Sequence, residues 1–518
     1  MRKRTFALVG VAMALMLFTW VAGAAEPAVT FETIDRETHR DIEVATPLVS
    51  YIFSEDGGVM KSAYLTFAPY GSTVIELVPG TTTLEREDDD ALVRQYSKLS
   101  EYPFSIAGNE GELYSSEISE GVDGELILEF TGSYEGAQIA KRFTIRPDSF
   151  YVVDFQLQID NPSDEPLPID VVLGKRILND KSPDLHYLYD GVASVNLLAE
   201  GSYYDFGGLG LLDKQTVFFL SAENGGQLDP FALRAEDGEQ RYGVRLTAES
   251  GRTELDSSLY GGRRRYLLME AAGLAILDEP GVGSRMMIPV IRFLSMLYNA
   301  TGNYGWAIIL LTILVRVILY PLMRKQYHSM ARMQKLQPKL KQLQERFKDD
   351  KQLLQQKMMK LYKDEKVNPM GGCLPMFVQL PIIYVIWRAV LYSAELIHLS
   401  PGFLWIPDLS LHDPYFILVV LTTAIMVLQQ YLMSPMTASG GADQPATAKY
   451  MGYLFPLMMA FLLWRFPAGL WLYYLLTTAA QVGQQAFVNW EMRRADGPSG
   501  TIDVSATVES EDDGDAEA

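Results

Sequence analysis

The second half of this 518-residue chain carries four apolar runs too long and too poor in charge for a water-facing surface. Tyr304 to Leu322 has one charged residue, Arg316, and Gly371 to Ala394 has one, Arg388. Pro414 to Met433 has none. Lys449 to Gln485 exceeds a single span and is interrupted at Arg465-Phe466-Pro467-Ala468-Gly469, so it reads as two helices joined by a tight turn. About 20 apolar residues cross the roughly 30 Å hydrocarbon core of a bilayer as a helix. A fifth run, Thr5 to Ala25, follows Arg2-Lys3-Arg4. Its Ala22-Gly23-Ala24 pattern fits a cleaved signal peptide, whereas its length fits a retained helix, which is the reading preferred here. The expectation is six transmembrane helices.

Charge divides the chain and orients it. Residues 26–285 hold 46 acidic and 21 basic side chains, a net of −25. Residues 323–370 hold 13 basic and 5 acidic, a net of +8. Residues 491–518 hold 9 acidic and 2 basic, a net of −7. Short loops rich in Lys and Arg stay in the cytoplasm. That puts 323–370 and both termini inside and 26–300 outside. The total of −20 argues against DNA or other nucleic acid as the main partner.

The external part reads as β-structure. In Tyr151 to Asp160, the apolar Val153, Phe155, Leu157 and Ile159 alternate with Asp154, Gln156, Gln158 and Asp160. Leu126, Leu128 and Phe130 alternate in the same way, as do Tyr242, Val244 and Leu246. Period-two patterns between Gly, Asp, Asn and Pro clusters indicate an antiparallel sandwich. The acidic run Glu85 to Asp90 matches no calcium-loop spacing. His39 and His186 have no metal-ligand spacing around them, so no metal site and no cofactor is expected. The single cysteine, Cys373, lies in an apolar run and reads as a small buried hydrophobe.

Arg316 is the most informative residue. An arginine near the middle of a spanning helix costs about 2.5–3.5 kcal/mol on insertion scales, and such residues face a bundle interior or a wet cavity. Thr312 and Tyr320 flank it at i−4 and i+4. The spans supply no Asp or Glu partner: Glu395, Asp408 and Asp413 fall at the external side and Asp443 in a cytoplasmic loop. An unpaired guanidinium needs water or aromatic faces, which favours a hydrated groove open to the cytoplasm. Tyr473, Thr477 and Gln481 recur every four residues on the last helix, and Gln379 interrupts the third span. Each alone fits an interhelical hydrogen bond; together with Arg316 they suffice to wet a groove. The lack of membrane carboxylates weakens a proton-coupled transporter.

Residues 323–370 read as a helical hairpin turning at Phe347 to Asp350, with Met330, Met333, Leu340 and Met358 on its apolar face. It fits a solvated positive-inside hairpin at the lipid surface. It also fits a docking arm for polypeptide, because methionine surfaces accept many apolar partners.

These residues bring a family into view. The stretch TILVRVILYPL (Thr312 to Leu322) resembles the arginine-bearing helix of the YidC, Oxa and Alb membrane protein insertases. LQPKL (Leu336 to Leu340) and KVNPMGGCLP (Lys366 to Pro375) resemble its cytoplasmic hairpin and the helix after it. PDLSLHDPY (Pro407 to Tyr415) and FPAGLWLYY (Phe466 to Tyr474) continue the resemblance in order, from about 290 to 490. The front half resembles the two-membrane bacterial type by architecture and size. The resemblance implies a five-helix core around a groove that is closed outside and open to cytoplasm and lipid. Arg316 takes the place of the groove arginine, with Thr312, Gln379 and Tyr473 beside it. It also implies a periplasmic supersandwich similar to sugar mutarotases. The implied partners are nascent membrane proteins, ribosome–nascent chain complexes, the lipid bilayer and the Sec translocon. Two departures stand out. The tail Ser499 to Ala518 is acidic where the family often has a basic, ribosome-contacting tail, and Arg465 stands where an apolar or aromatic residue is usual.

The expected architecture is therefore a multi-domain membrane protein combining a polytopic all-α bundle with an all-β domain. Its parts are an N-terminal span (1–25), a β-sandwich (26–285), an interfacial amphipathic helix (286–302), a five-helix core (303–490) containing the hairpin, and an acidic cytoplasmic tail (491–518). The expected function is non-enzymatic insertion of nascent proteins into the cell inner membrane. Two rivals are a transporter or channel with an external ligand-binding domain, and a membrane-tethered carbohydrate-active enzyme, which needs paired carboxylates in a pocket.

Overall fold

A computed structural model describes residues 28–67, 75–78, 85–87, 91–93, 102–109, 111–177, 183–195, 206–222, 228–234, 239–278, 280–347, 350–365, 374–437 and 446–495. The first apolar run, Asp88 to Asp90, Cys373 and the acidic tail past residue 495 lie outside the described residues. The chain forms two compact units. One holds Val290–Leu391 and the described residues from Ser400 onward; the other holds the described residues up to Pro289 and, returning late in the chain, Tyr392–Leu399.

The β unit is antiparallel throughout its described pairings. Its largest sheet has nine strands in the order Val192–Val195, Asp184–Tyr189, Phe206–Leu212, Thr216–Ala222, Gly251–Arg263, Val152–Asn161, Ala137–Ile145, Leu126–Tyr134 and Ser115–Glu120. A five-stranded sheet (Thr30–Asp35 to Ile75–Glu76, in chain order) and a four-stranded sheet built on Leu167–Ile177 and Glu239–Ala248 accompany it. The period-two reading holds. Val153, Phe155, Leu157 and Ile159 are buried, each pairing across the ladder with an apolar residue such as Ile145, Phe143 or Ile139 on one side or Leu255 or Leu259 on the other. Each such side chain contributes about 1.5–3 kcal/mol on burial. Phe53 of the five-stranded sheet packs 4.7 Å from Phe143 of the nine-stranded one, and Phe104 packs 4.3 Å from Phe155. This aromatic layer is where the sheets meet.

One cation sits inside that layer. Lys141 is 1% exposed. Its Nζ donates to the backbone carbonyls of Gly57 (2.7 Å), Gly58 (3.2 Å) and Phe104 (2.7 Å). Three N–H groups meet three acceptors, which pins two loops to the sheet. Burial pushes its pKa down to about 7. His39 is likewise partnered, by Thr38 and Lys61.

The nine helices among the described residues are α1 (Tyr266–Ala271), α2 (Val282–Thr301), α3 (Tyr304–Arg346), α4 (Lys351–Asp364), α5 (Leu374–Tyr392), α6 (Ala394–His398), α7 (Ile417–Thr437), α8 (Ala446–Leu463) and α9 (Ala468–Ala495). Helix α6 belongs to the β unit, a placement the sequence did not signal. Its Glu395 is 1% exposed and lies 3.8 Å from Arg263 and 3.6 Å from Arg265, with the Tyr151 hydroxyl at 3.4 Å.

In the helical unit, α3 runs unbroken for 43 residues, through Pro321 and Pro338. The sequence divides this stretch at Met323 into a span and a hairpin arm. The structure joins them, because the strong helix formers around each proline, Met, Arg, Lys, Gln and Leu, carry the helix past its missing hydrogen bond. The arm ends where expected. Asp350 caps α4 by accepting from the backbone N–H groups of Gln352 and Leu353, an interaction typically worth about 1 kcal/mol. The long apolar stretch after Lys449 divides into α8 and α9 at Trp464 to Pro467, and the Arg465 guanidinium stacks 4.7 Å over the Trp464 ring.

Candidate functional site

One end of the helical unit is stitched shut. Asn303 caps α3 through Gly305 N–H (2.8 Å) and donates its amide to the carbonyls of Pro401 (3.1 Å) and Gly402 (2.8 Å). A Cβ at Gly305 would lie 2.2 Å from the Phe403 ring, so only glycine fits there. Asp413 is fully buried and accepts from Trp405 Nε1, Tyr415 N and Leu418 N, which fixes the start of α7. The backbone N–H groups of Ala468 and Gly469 donate to Leu411 (2.6 Å) and Leu409 (2.8 Å), pinning α9 to the same loop. The motifs PDLSLHDPY and FPAGL are thus the two halves of one seam.

Past this seam, toward the Arg346 end, four helices converge on a polar network. Arg316 on α3 is 6% exposed. Its Nη2 donates to Gln379 Oε1 on α5 at 3.4 Å, while its Nη1 has no hydrogen-bond partner among the described residues. Gln379 Nε2 donates to the Tyr473 hydroxyl on α9 at 3.3 Å. Gln481 Nε2 donates to Gln379 Oε1 at 3.5 Å, and Gln429 Nε2 on α7 donates to Gln481 Oε1 at 3.2 Å. Thr312 turns its hydroxyl to the Ile308 carbonyl (2.7 Å). Thr477 is buried one turn beyond Tyr473. Most of these contacts are long for hydrogen bonds. The groups are held loosely enough to exchange their partners for water or for a polar chain.

The surface around this network inverts the usual rule. Val317 and Ile318, directly after Arg316, are 66% and 65% exposed, and Ile313, Leu314, Leu380, Tyr384, Val420 and Phe461 are exposed as well. Polar groups face in and large apolar groups face out, a pattern that marks contact with lipid or an apolar partner. By length and composition one described helix, Tyr304–Met333, suffices to cross a membrane; Gln379–Tyr392, Ile417–Tyr431 and Leu454–Leu463 are shorter apolar stretches.

Of the residues singled out from the sequence, Arg316, Gln379, Tyr473 and Gln481 are brought together, with Thr312 and Thr477 buried on the same helices. Tyr320 is not. It is 38% exposed, because each i+4 step advances about 40° around the helix and two such steps from Thr312 reach the edge of the buried face. The hairpin residues also differ from the docking-arm reading. Leu340 and Leu336 form a buried core with Met333 and Met358 packed against it. An amphipathic stripe reports that a face is buried but not against what, and here α3 and α4 bury it against each other. The Met330 side chain lies outside the described residues. Gln326, which the sequence reading passed over, is buried on the inward face of α3.

Among the described residues no three His, Cys, Asp or Glu side chains gather as a metal site. In the β unit a cavity of about 910 Å³ is lined by residues including Arg146, Asp154, Gln156, Asp256 and Tyr260. Two of its three carboxylates are partnered, Asp154 by Arg146 and Ser258 and Asp256 by Gln156, while the third, Asp148, is exposed.

Several known proteins resemble this chain. The sequence model of a family described as 60Kd inner membrane protein matches residues 296–495. The membrane protein insertase YidC of Syntrophus aciditrophicus is 30% identical over 500 residues, covering 90% of this chain and 88% of that one. The protein of the same name from Citrifermentans bemidjiense is 31% identical over 481 residues, covering 87% and 85%. Among solved structures, an active YidC insertase with its first transmembrane domain resolved superposes with a TM-score of 0.52 at 23% identity, covering 93% of this chain and 98% of that one. That likeness supports the fold.

Proposed function

The chain belongs to the YidC family of membrane protein insertases, and from that premise we propose how its own residues carry out insertion. The transporter reading falls away with the family assignment, and the relatives are named for insertion rather than for a chemical reaction. The observation that carries the mechanism is Arg316: buried, half-partnered and ringed by exposed apolar side chains.

The hydrophilic leader of a nascent membrane protein enters the groove from the Arg346 end, since the Asn303 end is sealed. In a reduced dielectric a charge pair at 4 Å is worth about 4 kcal/mol at an effective dielectric of 20. An acidic leader residue therefore gains by approaching Arg316 Nη1, which has no hydrogen-bond partner among the described residues. Gln379, Tyr473 and Gln481 supply hydrogen bonds in place of water. The following apolar segment meets Val317 and Ile318 and leaves sideways into lipid, driven by burial of its own surface. No cofactor or nucleotide is required, and we read the chain as non-enzymatic.

The basic loops orient the chain: six spans, both termini and the hairpin in the cytoplasm, the β unit in the periplasm, all in the inner membrane. The positive hairpin fits encounter with ribosome–nascent chain complexes, whereas the acidic tail repels RNA. Larger substrates would be received beside the Sec translocon. Reconstitution of the full chain in liposomes tests the reading. Arg316→Ala should impair insertion of an acidic-leader substrate and spare a neutral-leader one; equal insertion of both would remove the charge role.

A further inference from the structure

A second polar residue on α3 has no structural explanation. Gln326 is 5% exposed, and both its Oε1 and its Nε2 lack hydrogen-bond partners among the described residues. A buried amide left unpaired costs free energy that a leucine of similar size would not. Glutamine is common on solvated helix faces, but this one points inward. Helix α3 buries Thr312, Arg316, Met323, Gln326 and Tyr327 along one face. Met323 lies on this face between the Arg316 and Gln326 levels, so buried side chains connect the two. Gln326 is ten residues beyond Arg316, about 15 Å along the axis toward the end that is not sealed. Opposite it, α9 continues its own polar stripe. Gln485 is buried and Gln484 Oε1 has no hydrogen-bond partner among the described residues, and both lie between Gln481, in the Arg316 network, and Glu491, which pairs with Arg324 at 2.6 Å.

We infer that Gln326 is a binding residue for the extended backbone of the translocating leader, placed at the groove mouth ahead of Arg316. This rests on the insertase reading above and refines it. A side-chain amide offers a donor and an acceptor side by side, the complement of one peptide group. Every residue of a leader carries that group whatever its side chain, and each N–H and C=O taken out of water must be satisfied. Arg316 discriminates by charge; Gln326 recognises what all leaders share. The division explains why a neutral amide, rather than a second cation, stands where the chain first loses water.

The test uses the full-length protein in liposomes with three leaders: acidic, neutral Ser/Asn-rich, and proline-rich, the last lacking most backbone N–H groups. Gln326→Leu should lower insertion of the acidic and neutral leaders alike, by about fivefold, the value of one hydrogen-bonded pair. The proline-rich leader should change less, and the melting temperature should hold or rise. A photocrosslinker at position 326 should capture the leader of a stalled chain. Wild-type insertion of all three leaders by Gln326→Leu, or an equal loss for all three with a lower melting temperature, overturns the inference. If Arg316→Ala still impairs the acidic leader, only the Gln326 role falls; if neither variant matters, the groove reading falls with it.

Discussion

Each unit of the molecule buries a cation, and the two treat it in opposite ways. In the β unit, Lys141 spends all three N–H groups on three backbone carbonyls. In the helical unit, Arg316 makes one 3.4 Å bond and leaves Nη1 unpartnered among the described residues. A buried charge whose contacts are complete holds a structure together. A buried charge whose contacts are incomplete is expensive, and the expense makes sense when a transient partner completes it. The surroundings match. Lys141 sits within an aromatic core that excludes water, whereas Arg316 sits among exchangeable amides and hydroxyls on helices whose outer faces are apolar.

The largest effect expected from breaking this contrast is at Arg316. Arg316→Ala should slow insertion of an acidic-leader substrate by about 30-fold, near half of the charge interaction at 4 Å. Arg316→Lys should retain most of the rate, and neither change should lower the melting temperature. Next comes Lys141→Met, which orphans three buried carbonyls. It should destabilise the β unit by about 1–2 kcal/mol in denaturant titration while the helical unit still inserts. The same residue sets a pH signature. Its folded pKa, near 7, lies below its unfolded value, so the unfolded chain binds the extra proton between about pH 7 and 10. Wild type should gain stability relative to Lys141→Met as pH rises through that window, and the gap should be constant below it. Gln481→Leu removes a 3.5 Å contact to Gln379 and a 3.2 Å contact from Gln429, neither of them to Arg316, and should cost about twofold in insertion. Smallest is Arg252→Ala. This exposed cation pairs with an exposed Asp160, and its loss should leave both melting and insertion unchanged.

What the residues disclose in advance follows their physics. The strand Val152–Asn161 is legible because a half-buried strand must alternate. Arg316, Gln379 and Tyr473 are legible because a polar side chain in an apolar run needs a reason. Gln326 escapes notice because it stands just past the apolar run, beside Arg324 and Lys325, where a glutamine is unremarkable. Glu395 looks like an ordinary external carboxylate. Its arginines lie about 130 residues earlier, and no local pattern reports a pairing at that range. The hairpin methionines show the reverse failure: their stripe is plain, but their partner is the other arm of the same hairpin. Tyr320 shows how quickly an i+4 rule drifts off a helix face.

The central claim is that the half-partnered arginine marks the path of the substrate. Photocrosslinking from two positions in the full chain tests it directly, one replacing Tyr473 inside the network and one replacing Val317 on the exposed face. With a ribosome-stalled acidic-leader substrate, the leader should crosslink from 473, and Arg316→Ala should weaken that product, while 317 captures only the following apolar segment. Leader crosslinks from 317 with none from 473 would contradict the account.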